Sequence, residues 1–271
     1  MFHFHLFGMA EYTLINSTGI ACAFLSALGM ILLEWRRQRK RPAPSEPPLK
    51  WRHRFNPLTH LLCYGIAYAL LMAGVSFLAP MLLNITYLAG AIRFFKGTIN
   101  FASGVLVFIP VFLLLARFFP GNGRPTAQLE RMMPALAINY FFTRLACFCA
   151  GCCYGQPSAF GVVYPDTALP SVTYGPGTRI FPVQPIEFGV ALACFAVILI
   201  LHFRGRRSLP VFPLAFGATG FWVGFASNHV SEPLKPILGF TYPTPLTHLF
   251  VFLIGIVFLV LIIGEKRKAS G

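Results

Sequence analysis

The segment from Thr143 to Gly155 holds the residues of this chain that are best suited to chemistry. It reads TRLACFCAGCCYG and places one arginine, Arg144, in an otherwise apolar stretch. An arginine at membrane depth costs at least about 2.5 kcal/mol, so it is usually functional or paired. Its planar fork of donors suits a phosphate group. The alternatives are an arginine that snorkels to the interface or one that pairs structurally with Glu187.

Four of the seven cysteines follow closely after this arginine, namely Cys147, Cys149, Cys152 and Cys153. Their spacing leaves several chemistries open. Zinc and iron–sulfur sites normally use two separated C-x2-C pairs. These four cysteines lie in one short segment, so their spacing argues against a metal site. An oxidising outer face would allow a disulfide, although a bridge between vicinal cysteines is strained. Cys152 could serve as a nucleophilic or lipid-modified thiol if a base formed the thiolate. The simplest interpretation is small apolar residues packed between helices.

Two further pairs of residues have a spacing that could build a site. Gly151 and Gly155 are four apart, which suits close helix packing or the approach of backbone to a ligand. Gln184 and Glu187 are three apart, so they share a face at the start of the next apolar segment. Glu187 is the one acidic residue placed deep enough to pair with Arg144.

General bases are suggested by position alone. His229 lies in a polar cluster, SNHVSE, and His248 follows a threonine at the start of an apolar segment. Together with Glu187 they are the candidates for a general base. A histidine at an interface is nevertheless more often structural than catalytic.

The composition decides which elements can position these groups. Hydrophobic residues make up 56% of the 271 residues and charged residues only 11%, against about 25% in an average soluble domain. So little charge cannot cover a soluble surface, which excludes an ordinary soluble enzyme, a disordered chain and a nucleic-acid-binding domain. The net charge of +14 therefore fits cytoplasmic loops of a membrane protein better than a nucleic-acid surface.

A helix needs roughly 20 apolar residues to cross a bilayer. The pattern predicts an all-α integral membrane protein, one polytopic domain over 1–271, with seven transmembrane helices at about 15–33, 58–82, 99–119, 132–152, 185–203, 211–227 and 246–264. The fourth is interrupted by Arg144, and the sixth is short and rich in glycine. Residues 156–182 are rich in Pro, Gly and Tyr and predict a small external cap between the fourth and fifth helices. Residues 36–56 predict a basic cytoplasmic loop with several prolines.

The basic residues predict the orientation. Seventeen of the 22 fall in alternate connections and in the C-terminal tail, whereas four fall in the other connections. The positive-inside rule then places the N-terminus in the periplasm and the C-terminus in the cytoplasm. The first apolar stretch has no basic region before it and no small-residue cleavage site after it, so no cleaved signal peptide is expected.

This pattern resembles the bacterial phosphatidylglycerol:prolipoprotein diacylglyceryl transferases, in a branch with a GCCYG variant of the signature. The family signature is similar to G-R-[IL]-G-N-F-x-N-G-E-x-x-G and aligns with residues 143–155, so its arginine and late glycines fall on Arg144, Gly151 and Gly155. A W-G-V-V-F-P motif resembles FGVVYP at 160–165. The R-H-P-x-Q-L-Y-E motif resembles IFPVQPIE at 180–187, where Pro182, Gln184 and Glu187 match.

The same resemblance locates positions where this chain differs from the family. The essential histidine falls on Ala102, the signature asparagine on Cys147 and the signature glutamate on Cys152. A second arginine and a glutamate on the sixth helix fall on about Gly220 and Gly224. The resemblance therefore implies the family fold and a lipid-headgroup site, while the groups that serve lipoprotein maturation are replaced.

The resemblance implies a multi-pass transferase of the bacterial inner membrane. It would bind phosphatidylglycerol or a related anionic phospholipid and transfer a lipid-derived group to an acceptor nucleophile, which need not be a lipoprotein. The implied binding residues are Arg144, Cys147, Gly151, Tyr154, Gly155 and Gln184. No cofactor, no metal and no nucleic-acid partner are expected. The alternatives are a non-catalytic homologue that binds lipid or protein, and a thiol-redox membrane protein.

Overall fold

The computed structural model describes residues 9–39, 58, 60–62, 64–66, 101–118, 124–226 and 244–270. Helices dominate this part of the chain, and a small two-stranded sheet interrupts them. In chain order the elements are α1 (Met9–Arg39), α2 (Phe101–Arg117), α3 (Pro125–Ala150), β1 (Pro157–Val163), α4 (Leu169–Tyr174), β2 (Arg179–Ile180), α5 (Val183–Phe203), α6 (Val211–Ala226) and α7 (Thr244–Ser270).

Four stretches within these helices are long and apolar enough to cross a membrane: Leu14–Arg37, Pro125–Ala150, Val183–Phe203 and Thr247–Glu265. Two shorter apolar helices accompany them, Gly104–Arg117 and Val211–Ala226. The helical character expected from the apolar segments is therefore confirmed, and four of these helices are suited by length and composition to cross a membrane. Residues 67–100 lie outside the described part, so most of the expected second helix, the count of seven and the orientation stay predictions.

The helix that carries Arg144 differs in its bounds from the expected 132–152. It begins at Pro125, because a proline near the start of a helix needs no hydrogen bond for its missing N–H. It ends at Ala150, because Gly151 adopts a left-handed conformation with φ of 66° and caps the last turn. Cys152 and Cys153 consequently lie beyond the helix, in the turn that follows it.

The segment expected to form a cap does form a small folded unit. β1 and β2 pair in antiparallel fashion, and the short helix α4 lies between them in the chain. Tyr154, Tyr164, Ala168 and Ile180 are buried together and form the core of this unit. The unit joins the end of α3 to the start of α5, so it holds the ends of these two helices next to each other.

Polar side chains connect four helices at the opposite end of the bundle. Arg131 of α3 lies 3.6 Å from Glu34 of α1, and Arg37 of α1 donates to the backbone carbonyl of His202 on α5 at 3.4 Å. Glu265 of α7 pairs with Arg124 at 3.0 Å. These residues belong to the connections and helix ends that the charge distribution groups on one side of the membrane.

Candidate active site

Arg144, Tyr140 and Glu187 form a hydrogen-bonded cluster between α3 and α5. The Nε atom of Arg144 lies 2.9 Å from Oε2 of Glu187 and donates to the hydroxyl of Tyr140 at 2.9 Å. Tyr140 in turn donates to Oε1 of Glu187 at 2.7 Å. Arg144 is only 8% exposed and Glu187 only 3%. Two opposite charges thus share a nearly dry site, with a hydroxyl bridging them.

Helix geometry explains why these three residues meet. Tyr140 and Arg144 are four residues apart on α3, so their side chains lie on the same helix face. Glu187 lies in the second turn of α5, which packs along α3 next to the cap. The pairing of Arg144 with Glu187 was one of the interpretations of the sequence. The part played by Tyr140 was missed, although its i, i+4 spacing from Arg144 was the available signal.

Aromatic rings enclose the inner side of this cluster. The ring centroid of Tyr140 lies 4.8 Å from that of Phe101 and 4.6 Å from that of Phe216. A cavity of about 10 Å³ lies beside Tyr140 and Glu187 and is otherwise mostly apolar. That volume is close to the minimum that one water molecule needs. The inner side of the site is therefore too small for a lipid headgroup.

The guanidinium of Arg144 keeps one edge for a further ligand. Its hydrogen bonds to described residues all involve Nε, so in this part of the chain neither Nη atom has a hydrogen-bond partner. The charge lies close enough to interact electrostatically with Cys147, Cys152 and Cys153. The free edge and the cysteine turn are therefore parts of one region at the cap end of α3.

The turn after α3 folds two cysteines back onto a third. The N–H of Cys152 donates to the carbonyl of Cys147 at 3.0 Å, and Cys153 has a φ of 53°. The sulfur atoms of Cys147, Cys152 and Cys153 all lie within 4.8 Å of one another. The cysteines do lie at one helix end, but Cys152 and Cys153 lie beyond the helix itself, because Gly151 ends it before Cys152.

Gln184 fastens this turn to α5 and to the cap. The side chain is fully buried, and its Nε2 atom donates to the carbonyl of Cys152 at 2.7 Å. Its Oε1 atom accepts a hydrogen bond from the hydroxyl of Tyr164 at 3.2 Å. Burial, partly offset by this hydrogen bond, raises the pKa of Tyr164 to about 12. Gln184 and Glu187 do share a helix face, and each contacts a different part of the site.

The remaining residues of the signature have mainly structural contacts. Tyr154 is 1% exposed, and its hydroxyl lies 2.9 Å from that of Thr173 in the cap. A side chain at Gly155 would overlap the backbone carbonyl of Phe181. These contacts hold the cap together between the end of α3 and the start of α5. Direct contact of Tyr154, Gly151 or Gly155 with a substrate stays a prediction.

The environment of Cys152 does not activate its thiol. A hydrogen bond with Cys147 lowers the pKa of Cys152, but a hydrogen bond with Cys153 and burial outweigh it and raise that pKa to about 12. The thiol is therefore protonated at neutral pH. A nucleophilic role for Cys152 would need a ligand or a conformational change that stabilises the thiolate.

His248 occupies the space beside a glycine of α6. Its imidazole is 1% exposed, and a Cβ atom on Gly220 would overlap the ring. The ring centroid of Phe216 lies 4.8 Å from that of His248, which links the histidine to Tyr140 through a single aromatic ring. The resemblance to the family suggests a second arginine at about Gly220. His229, the other histidine proposed as a base, lies outside the described residues.

A buried arginine–glutamate pair under a small cap, in a bundle of apolar helices, defines a membrane protein with a polar site at one end. The match to known families is more specific. The model of the prolipoprotein diacylglyceryl transferase family matches residues 1–265, and the chain belongs to this family. No curated protein matches the chain.

Family membership fixes the general character of the protein. It is a membrane lipid transferase of the prolipoprotein diacylglyceryl transferase type. The family acts in lipoprotein biosynthesis, uses a phospholipid donor and a protein acceptor, and spans the bacterial inner membrane several times. The apolar helices of this chain fit that location.

Proposed function

We propose that this protein binds phosphatidylglycerol or a related anionic phospholipid, with Arg144 holding the phosphate. The observation that carries the proposal is the orientation of the guanidinium. Glu187 and Tyr140 hold its Nε edge, and the Nη1–Nη2 edge has no hydrogen-bond partner in the described part of the chain. The two N–H groups of this edge are parallel and can donate to two oxygens of one phosphate group.

Glu187 acts in this proposal as a positioning residue. Its carboxylate is close enough to Arg144 to neutralise much of the buried charge, and Tyr140 donates to it. A guanidinium held by two partners loses little further conformational freedom when a phosphate binds. The site therefore favours a monoanionic phosphodiester, which adds a single negative charge to a nearly neutral pair.

The proposed reaction is transfer of the diacylglyceryl group. A nucleophilic atom of the acceptor forms a bond to the glyceryl carbon, and the bond from that carbon to the phosphate oxygen breaks. The electron pair leaves with the glycerol phosphate, whose charge Arg144 stabilises, and the proton of the nucleophile passes to a base. His229 and His248 remain the candidates for this base, because the carboxylate of Glu187 is already engaged by Arg144 and Tyr140.

The acceptor that we propose is a nucleophile other than the cysteine of a lipoprotein precursor. The positions that the resemblance assigns to essential side chains hold Ala102, Cys147, Cys152 and Gly220. Ala102 carries no titratable group, and the side of Gly220 is filled by the ring of His248, so neither position supplies the expected group. Arg144, Gln184 and Glu187 are thus kept, while the histidine and the second arginine implied by the resemblance are replaced.

Complementation tests the proposed acceptor. A strain depleted of its own diacylglyceryl transferase would express this protein, with membrane insertion checked by immunoblotting. We expect no growth, together with consumption of acyl-labelled phosphatidylglycerol when the protein is overproduced in its own bacterium. Growth would show that lipoprotein precursors are accepted and would contradict this part of the proposal.

A non-catalytic, lipid-binding homologue is the second candidate. It is favoured by the closed packing around Tyr140, where the cavity is only about 10 Å³. The same labelling experiment separates the two candidates. Bound but unconsumed phosphatidylglycerol in wild-type membranes would support the binding role over the transferase.

A further inference from the structure

The cysteine turn after α3 gathers three thiols that the proposed lipid chemistry does not use. The sulfur atoms of Cys147, Cys152 and Cys153 lie within 4.8 Å of one another, and no disulfide joins any cysteine of the described residues. Three sulfur atoms bound to one metal ion at about 2.3 Å stand roughly 4 Å apart. The thiols are thus already close to the spacing of a three-coordinate metal site.

The backbone of the turn is held in an unusual conformation that produces this arrangement. Among the described residues, Cys153 is the one non-glycine residue with a positive φ, at 53°. Such a conformation costs of order 1–3 kcal/mol in a non-glycine residue and is commonly found at functional sites. Here it turns the side chain of Cys153 toward those of Cys147 and Cys152.

A second layer of hydrogen bonds keeps the turn in place. Gln184 donates to the carbonyl of Cys152 at 2.7 Å, and Tyr164 donates to Gln184 at 3.2 Å. Gly151 caps α3 by donating to the carbonyls of Cys147 and Phe148. Metal sites typically have their ligands oriented by such outer partners. The three thiols are therefore positioned before any ion arrives.

Charge also favours an anionic metal–thiolate group at this place. Arg144 interacts electrostatically with Cys147, Cys152 and Cys153. Three thiolates around a monovalent or divalent ion leave a net negative charge of two or one. The positive charge of Arg144 offsets part of this negative charge.

We propose that Cys147, Cys152 and Cys153 bind one soft metal ion, Cu(I) or Zn(II), through three thiolates. Thiolate ligands select these ions over magnesium, calcium and manganese. Each thiol releases its proton on binding, so three protons leave for each ion bound. The inference concerns the thiols alone, and it stands whether or not Arg144 binds a phospholipid.

Metal titration of the purified protein in detergent tests the proposal. Reduced protein would be titrated anaerobically with Cu(I) and, separately, with Zn(II), each against a chromogenic chelator. We expect one equivalent of Cu(I), Zn(II) or both to be held by wild type, and this equivalent to be lost in Cys147→Ser, Cys152→Ser and Cys153→Ser. Cys149→Ser is the matched control, because Cys149 lies in the same segment but outside the cluster. The two titrations show which ion the site prefers.

Alkylation of wild type gives a second readout that does not depend on folded variants. Mass spectrometry after treatment with N-ethylmaleimide would show Cys147, Cys152 and Cys153 protected by the metal, while Cys149 reacts equally with and without it. The proposal is overturned if wild type retains no equivalent of either ion. It is overturned as well if binding survives in the three serine variants, or if the same cysteines lose reactivity by forming a disulfide.

Discussion

The guanidinium of Arg144 is held along one edge by the carboxylate of Glu187, with Nε 2.9 Å from Oε2. Both side chains are almost completely buried, and Tyr140 contacts both. The two residues lie 43 positions apart in the sequence, on helices that the cap joins. The pair therefore couples the packing of α3 against α5 to the position of the remaining guanidinium edge.

Replacing one member of the Arg144–Glu187 pair should destabilise the protein more than replacing both members together. Arg144→Gln and Glu187→Gln each leave one buried charge without its partner, which costs roughly 3–5 kcal/mol. The double variant leaves two neutral amides that can bond to each other and to Tyr140, so its loss should be smaller than that of either single variant. Thermal unfolding in detergent measures this. A double variant whose loss equals the sum of the two single losses would mean that the two charges do not depend on each other.

Steric contact between Gly220 and His248 predicts a suppressor pair. Gly220→Ala places a methyl group on the imidazole ring, and overpacking of this kind costs typically about 1–3 kcal/mol. His248→Ala removes the ring and should restore most of the lost stability when the two changes are combined. The midpoint of thermal unfolding of the three variants checks this. A double variant whose loss of stability equals the sum of the two single losses would contradict a direct contact between the two residues.

The polar network at the other end of the bundle predicts a contrast between two glutamates. The side chain of Glu130 is nearly buried. It accepts hydrogen bonds from the backbone N–H groups of Ser208 and Leu209, and its Oε2 atom lies 2.7 Å from Nε of Arg207. Glu130→Ala leaves the two buried N–H groups without this acceptor, so a loss of at least about 1–3 kcal/mol is expected, while Arg207 keeps Glu265 as a partner.

Glu265 provides the matched control for Glu130. It pairs with Arg124, whose side chain is 75% exposed, and with Arg207, whose side chain is 33% exposed. Exposed pairs contribute about 0–1 kcal/mol. Glu265→Ala should accordingly shift the unfolding midpoint little. Similar shifts for Glu130→Ala and Glu265→Ala would show that burial does not set the strength of this network.

The raised pKa of Tyr164 predicts a pH dependence of stability. The folded-state pKa is about 12, against an ordinary value of 10.0, because the phenol is buried. The neutral phenol's contribution to stability is fully present below pH 10 and is lost as the pH rises through 12. Unfolding midpoints of wild type and Tyr164→Phe, compared from pH 8 to pH 12, isolate this effect. A difference between them that stays constant above pH 10 would contradict it.

The sequence predicts the apolar helices well, because a membrane span depends on local composition and length. The bounds 185–203 and 211–227 differ from the observed Val183–Phe203 and Val211–Ala226 by no more than two residues. The cap was also expected from its Pro, Gly and Tyr residues, though not its helix α4. The end of α3 was misplaced, because the apolar run continues through Cys152 while Gly151 has already ended the helix.

The site could be predicted only where family motifs or charge mark it. Arg144, Gln184 and Glu187 stand out in the sequence, and the structure brings Arg144 and Glu187 into contact. Tyr140 carries no charge and belongs to an apolar helix, so its bridging position emerges from packing. The close approach of His248 to Gly220 is likewise a contact between two different helices, α6 and α7, which no local sequence pattern encodes.

The most direct test of the account is phosphatidylglycerol binding by Arg144→Lys. This change keeps a positive charge beside Glu187 and removes the pair of Nη donors. The matched control is Arg131→Lys, because Arg131 lies on the same helix, is also 8% exposed and also pairs with a glutamate. Native mass spectrometry of the detergent-solubilised protein would count the bound lipid.

Loss of one bidentate charged contact corresponds to roughly 1.5–3 kcal/mol, so affinity should fall at least about tenfold in Arg144→Lys. Arg131→Lys should bind phosphatidylglycerol like wild type, and a zwitterionic phospholipid should show no difference among the three proteins. Undiminished binding of phosphatidylglycerol by Arg144→Lys, or an equal loss in Arg131→Lys, would contradict the assignment of Arg144 as the phosphate-binding residue.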